Sequence, residues 1–296
     1  MPVARVDGIE IYHETIGDPG DPTVLLICGL GSQLLTWDIE FCRQLADRGF
    51  WVVRYDNRDV GLSTHLEEPI DLMGLIGSFA GGPPVEVPYK LTDMAGDAVG
   101  LLDHLGVRRA HVVGVSMGGM IGQTLAIEHP DRVATLTSIM SSTGDPDVGA
   151  PTAEALEVLL APPATTREEA QDQLVQHAHV WGSPAFIDEE RLRALAGAAY
   201  DRARDPMGGT RQLAAVLASG SRSEALRELH VPTLVIHGTE DKLVQPSGGE
   251  RTAEVIPDAK LLMIEGMGHD LPPQLWPRLI DAIAAHAAEH AGRVEA

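Results

Sequence analysis

Ala110-His111-Val112-Val113-Gly114-Val115-Ser116-Met117-Gly118-Gly119-Met120 is the stretch on which the reading of this chain turns. His111 to Val115 is an apolar run fit for a buried strand, and a helix-compatible run from Met117 to Glu128 follows at once. Ser116 therefore has no loop to sit in. A strand that turns straight into a helix strains the backbone of its pivot residue, and only small residues fit two places before and after it. Gly114 and Gly118 occupy those places. In that setting the G-x-S-x-G pattern lifts a serine hydroxyl above a sheet and sets it at a helix N-terminus. A glycine-rich turn with an incidental serine is the bland alternative. Strand before, helix after and both glycines in register speak against it.

The segments on either side read as further strands and helices. Residues 3–6 and 9–15 alternate as an antiparallel pair turned by Asp7-Gly8, and residues 23–28 form a continuous apolar run typical of a parallel strand. Gly29-Leu30-Gly31-Ser32 follows that strand, where glycines let backbone N–H groups turn toward a ligand. Residues 37–48 read as a helix and 50–55 as a strand. That strand leads into Asp56-Asn57-Arg58-Asp59, expected to form a local salt-bridged loop. Residues 69–88, with Leu75 and Phe79, read as a mobile flap beside a pocket. Thr92 is the expected N-cap of a helix through Leu105, and 133–140 is a strand ending at Met140.

Strand and helix alternate up to this point, which is the pattern of a doubly wound α/β sheet. From Gly144 the pattern changes to proline-punctuated helical segments at 152–160, 166–180, 188–204 and 207–219. They read as a helical cap over residues 145–222, inserted into a core of residues 1–144 and 223–296. His177 and His179, two apart on a helix, point in different directions and are not expected to chelate a metal. The sheet resumes at 231–238 and ends with the strand 260–265, with helices at 248–256 and 273–292.

The chain carries 43 acidic against 22 basic residues, a net charge of −21, which disfavours nucleic-acid phosphates and anionic membranes as partners. No apolar run approaches the roughly 20 residues that span a bilayer, and no basic-then-apolar leader opens the chain. Cys28 and Cys42 are too few for a disulfide framework and read as core hydrophobes. The expectation is a cytoplasmic protein.

Ser116, Asp241 and His269 fall in that chain order in three loops after strands. Serine is too weak an acid to attack unaided, so an imidazole must take its proton, and a carboxylate must hold that imidazole in one tautomer. Asp56 and Asp270 are rival acids; the first follows the wrong strand, and the second adjoins the histidine it would have to orient.

With these residues in place, the sequence resembles the α/β-hydrolase family. The matching motifs are Cys28-Gly29-Leu30-Gly31, Tyr55-Asp56-Asn57-Arg58 with Gly61 and Ser63, Gly114-Val115-Ser116-Met117-Gly118-Gly119, His237-Gly238-Thr239-Glu240-Asp241 and Gly268-His269. The first 65 residues look most like the aclacinomycin methylesterase branch of the carboxylesterases. The resemblance implies Ser116 as nucleophile, His269 as base and Asp241 as its orienting acid, with the Leu30 and Met117 amides as oxyanion hole. Many relatives have histidine where this chain has Cys28, a change that leaves the Leu30 amide in place. Serine at position 116 disfavours the aspartate-nucleophile branches, and Met117 the proline iminopeptidases.

The expected activity is hydrolysis of short- to medium-chain apolar carboxylic esters, methyl esters among them, through an acyl-enzyme. No metal or organic cofactor is called for, and a small-molecule ester is the partner. A cofactor-free perhydrolase or haloperoxidase-like enzyme is the enzymatic alternative, and a non-catalytic ligand receptor the alternative of another class. Leu75, Phe79, Met140, Trp181, Phe186 and Met207 are the expected substrate-binding residues, with packing of the cap helices against one another as their plainer role.

Overall fold

In the computed structural model, which describes residues 2–78 and 85–292, eight strands form one sheet in the order β1-β2-β4-β3-β5-β6-β7-β8. β1 (Val3–Val6) and β2 (Ile9–Ile16) make the expected hairpin, and β2 also runs antiparallel to β4 (Trp51–Tyr55). Asp7 and Gly8 turn that hairpin with φ of 43° and 89°, the left-handed pair a two-residue turn requires. β3 (Thr23–Ile27), β5 (Ala110–Val115), β6 (Val133–Ile139), β7 (Thr233–Gly238) and β8 (Lys260–Ile264) complete the sheet, all pairing in parallel.

α1 (Ile39–Ala46), α2 (Leu72–Ser78), α3 (Leu91–His104) and α4 (Met117–Glu128) lie among the first strands. Between β6 and β7 come α5 (Ala153–Leu159), α6 (Arg167–Trp181), α7 (Glu189–Arg202), α8 (Gly208–Ser219) and the short α9 (Ser223–Leu226). α10 (Ser247–Val255) and α11 (Trp276–Glu289) follow.

The sheet is apolar on both faces because helices cover both. Val24 and Leu26 of β3 pack with Phe41 and Leu45 of α1 and with Leu279 and Ile283 of α11. Their neighbours Leu25 and Ile27 point the other way, onto Leu101 of α3, Ile121 of α4 and Val255 of α10. All four strand side chains are fully buried. Such burial stabilises by roughly 1.5–3 kcal/mol per side chain, enough to outweigh the ~1–2 kcal/mol per residue lost on fixing the backbone.

Several local expectations shift. α3 begins at Leu91 because the Asp93 carboxylate reaches back to accept the Lys90 N–H at 2.8 Å, so Thr92 lies inside the helix instead of capping it. α1 starts later than expected because Asp38 accepts from the Glu40 amide. Part of the supposed flap is α2, whose Leu75 is buried; Phe79 lies outside the described residues. The charged turn after β4 is not a local salt-bridged loop. Arg58 pairs with Asp97 of α3 at 2.6 Å, Asp56 with Arg202 of α7 at 2.7 Å, and Asp59 with Arg211 of α8 at 2.9 Å.

The last two pairs fasten the segment between β6 and β7 to the loop after β4. Asp59 is buried, and it also accepts from the Tyr89 hydroxyl at 2.6 Å and the Leu66 amide at 2.7 Å. Arg211, itself buried, bonds Asp205 as well. Removing one partner of such a pair strands the other charge away from water. Arg211→Met is therefore expected to lower the unfolding free energy by about 3–5 kcal/mol, with part of the loss recovered in Asp59→Asn/Arg211→Met. Urea unfolding of the three proteins measures it.

Candidate active site

β5 delivers Ser116 to the C-terminal edge of the sheet, and α4 begins at the next residue. Ser116 holds φ 54° and ψ −122°, a conformation costly to a residue with a side chain. The turn is tight enough to explain its glycines. A Cβ on Gly114 would fall 2.1 Å from the Gly118 carbonyl oxygen, and one on Gly118 would fall 2.3 Å from that of Ile27. The strain is held by the Ser116 N–H bond to Ile139 O at 2.9 Å, across to β6.

The loop after β3 runs alongside. A Cβ on Gly29 would be 3.3 Å from that of Ser116. Cys28 O is held by the Asn57 side-chain amide at 3.1 Å, and the Gly31 N–H donates to Gln212 Oε1 of α8 at 2.7 Å. Among the described residues, neither the Leu30 nor the Met117 amide donates a hydrogen bond to the protein. Leu30 follows the glycine that packs on Ser116, and Met117 opens α4, where a helix leaves its first N–H groups without intrahelical partners.

Asp241 and His269 come together from the loops after β7 and β8. His269 Nδ1 lies 2.7 Å from Asp241 Oδ2, while Oδ1 of the same carboxylate accepts the Leu243 and Val244 amides at 3.0 and 2.9 Å. Burial pushes the Asp241 carboxyl up, but the facing His269, with hydrogen bonds from His237 and His269, outweighs it and holds Asp241 down at about 2. His237 faces the same carboxylate. Fully buried, its Nε2 lies 2.7 Å from Val244 O and 3.3 Å from Asp241 Oδ2, so it braces the carboxylate from behind.

The rival acids are engaged elsewhere. Asp56 accepts the Leu34 and Leu62 amides at 2.8 and 2.9 Å, and burial raises its carboxyl against those bonds and Arg202. Asp270 Oδ1 accepts from Ser183. The Ser116 hydroxyl, half-buried, has no hydrogen bond to His269 among the described residues. Such contacts tighten when substrate binds.

Of the expected substrate-binding residues, Trp181 closes α6, and its carbonyl accepts the His269 N–H at 2.6 Å. Met140 sits buried after β6 with φ 43°. Phe186 is half-buried and Met207 is 40% exposed. His177 stacks on Trp181 at 4.6 Å while His179 bonds Glu189 at 2.9 Å, the divergence expected of that pair. One group among the described residues has metal-ligand spacing, His286, Glu289 and His290. Glu289 is already paired with Lys260, and His286 Nε2 meets Pro232 O just before β7, at the opposite edge of the sheet from Ser116. Gln212 and Ser183 carried no sequence signal. Gln212 is one polar residue within α8 and Ser183 one in the turn after α6, and only the folded chain brings either to a site loop.

A family model described as the alpha/beta hydrolase fold matches residues 22–273. The chain is 32% identical over 310 aligned residues to rhodomycin D methylesterase DauP of Streptomyces sp. (strain C5), with 97% of this chain and 98% of that protein covered. Rhodomycin D methylesterase DnrP of Streptomyces peucetius matches with the same identity and coverage. The crystal structure of the enol-lactonase from Burkholderia xenovorans LB400 superposes with a TM-score of 0.73 at 23% identity, covering 97% of this chain and all of that one, a likeness of fold.

The low carboxyl of Asp241 has a consequence for stability. Its folded value lies below its unfolded one, so its contribution is present above the ordinary carboxylate range and is lost as pH falls through the folded value. The stability difference between wild type and Asp241→Asn is therefore expected to shrink by about 2 kcal/mol between about pH 5 and pH 2. Urea unfolding across that range reads it directly.

Proposed function

This chain belongs to the α/β-hydrolase family, and on that premise we propose that it is a serine carboxylesterase using Ser116, His269 and Asp241. The observation that carries the reading is the 2.7 Å bond from His269 Nδ1 to the buried Asp241 carboxylate. It commits the ring to the tautomer whose Nε2 is free to take a proton.

In this mechanism Ser116 Oγ attacks the ester carbonyl carbon while His269 Nε2 takes the hydroxyl proton. Asp241 stabilises the imidazolium that results. The carbonyl oxygen gains negative charge and receives the Leu30 and Met117 amides, which are fixed before substrate arrives and so need no reorganisation. The bond to the alcohol oxygen then breaks, and the imidazolium returns its proton to the leaving alkoxide. Water, deprotonated by the same Nε2, hydrolyses the acyl-enzyme. The acid product leaves and Ser116 recovers its proton.

Residues 145–222 serve as a cap in this reading. Supporting it, α6 and α8 reach the two site loops, through Trp181 to His269 and through Gln212 to Gly31. Leu75, Met140, Trp181, Phe186 and Met207 are the proposed apolar contacts, each buried methylene of the substrate adding about 0.8 kcal/mol. The methylesterase relatives support a methyl ester, whose small alcohol needs little space at the leaving-group side.

Two outcomes are expected. Ser116→Ala keeps the far-UV circular dichroism of wild type and loses turnover on the order of 10⁶-fold; a folded variant retaining about a tenth of the activity would overturn the assignment. Across p-nitrophenyl esters from acetate to palmitate, together with a panel of methyl esters, kcat/KM is highest for short and medium acyl chains. A maximum at laurate or longer refutes the capped small pocket.

A further inference from the structure

The base of the proposed triad is anchored by a segment that belongs neither to its own strand nor to the rest of the triad. His269 N–H donates to Trp181 O at 2.6 Å, and the preceding amide, Gly268 N–H, donates to Ser183 Oγ at 2.9 Å. Ser183 in turn donates its hydroxyl at 2.5 Å and its amide at 3.1 Å to the same Asp270 Oδ1. Three consecutive residues of the loop, 268 to 270, are thereby tied to residues 181 to 183. The two backbones touch as well. A Cβ on Gly268 would lie 2.3 Å from the Gly182 carbonyl carbon and 2.4 Å from Trp181 O. Ser183 is fully buried, and its hydroxyl has both its roles filled, accepting from the residue before His269 and donating to the residue after it.

We infer that Ser183, acting with Asp270, is a positioning residue for His269: it holds the backbone amide before the histidine and the carboxylate after it, and so the direction in which the imidazole meets Ser116. The inference rests on the triad reading above. Asp241 secures one ring nitrogen but leaves the ring free to rock about that bond, and a serine without a standing bond to the base depends on the base being aimed. A clamp on residues 268 and 270 supplies the aim.

The test is steady-state kinetics of Ser183→Ala on a short p-nitrophenyl ester, alongside Ser116→Ala and His269→Ala. Misplacing a catalytic group by about 1 Å costs up to ~100-fold, so kcat in Ser183→Ala is expected to fall about 10- to 100-fold with KM little changed. Inactivation by a p-nitrophenyl phosphonate, which requires the same base, should slow in parallel. The low-field proton resonance of the His269–Asp241 bond should shift or broaden. Ser183→Cys keeps the volume with a weaker donor and should fall between alanine and wild type; it also carries the test if Ser183→Ala does not fold. A folded Ser183→Ala or Ser183→Cys with wild-type kcat, or with the loss confined to KM or thermal stability, overturns the inference. If Ser116→Ala and His269→Ala remain active, the triad reading itself fails, whatever the Ser183 variants do.

Discussion

A methyl group at Gly118 would lie 2.3 Å from the Ile27 carbonyl oxygen and 2.7 Å from that of Cys28, so the first turn of α4 sits in backbone contact with the end of β3. That approach brings the loop after β3 beside Ser116, where a Cβ on Gly29 would be 3.3 Å from that of the serine. It also demands the positive φ at Ser116, since no relaxed backbone turns from β5 into α4 within one residue. The core on both faces of the sheet over-determines the turn. Val113 and Val115 of β5 are held among α1 and α11, and Val112 of the same strand among α3 and α4. Local strain of a few kcal/mol survives because large apolar layers on either side leave the pivot no room to relax.

Buried carboxylates show how surroundings decide the behaviour of one residue type. Asp241 and Asp56 are both out of water, and each accepts two backbone amides. Asp241 also faces two imidazoles and is held low, whereas Asp56 has one arginine and burial prevails, raising it. The first arrangement suits a group that must stay charged opposite a ring gaining a proton. The second suits a joint between segments. A chain with twice as many acids as bases still commits Arg58, Arg202 and Arg211 to buried or half-buried acids, leaving the surface to carry the negative excess.

The alternation of strands and helices and the turn at Ser116 were legible in the sequence, because each depends on neighbours within a few residues. Even the bounds of β5 and α4 follow from Gly114, Ser116 and Gly118. Start points set by a side chain reaching backward were harder. Thr92 looks like a cap until Asp93 is seen to take the Lys90 amide. Long-range partners were not legible at all. Gly31 and Gln212 are 181 residues apart, Gly268 and Ser183 are 85 apart, and nothing in local pattern marks either pair. The acids and the arginine after β4 were read as pairing among themselves because proximity in sequence is the only proximity a sequence displays. The same blindness affects the apolar contacts. Met207 and Trp181 are equally apolar on paper, yet one is 40% and the other 8% exposed.

A segment inserted between two strands invites exchange as a unit: cut after β6, rejoin before β7, and the lid of one enzyme is fitted to the floor of another. The hydrogen bonds from Gly31 N–H to Gln212 and from Gly268 N–H to Ser183 make that modularity deceptive here. A grafted segment that brings its own substrate walls arrives without the amide that steadies one loop and the hydroxyl that steadies the other. On the proposed reading, recombination at those boundaries would alter the rate of the chemistry together with the choice of substrate. A chimaera with lost activity would then say little about which ester fits. The boundary that is clean in chain order runs, in space, through hydrogen bonds to the loops after β3 and β8.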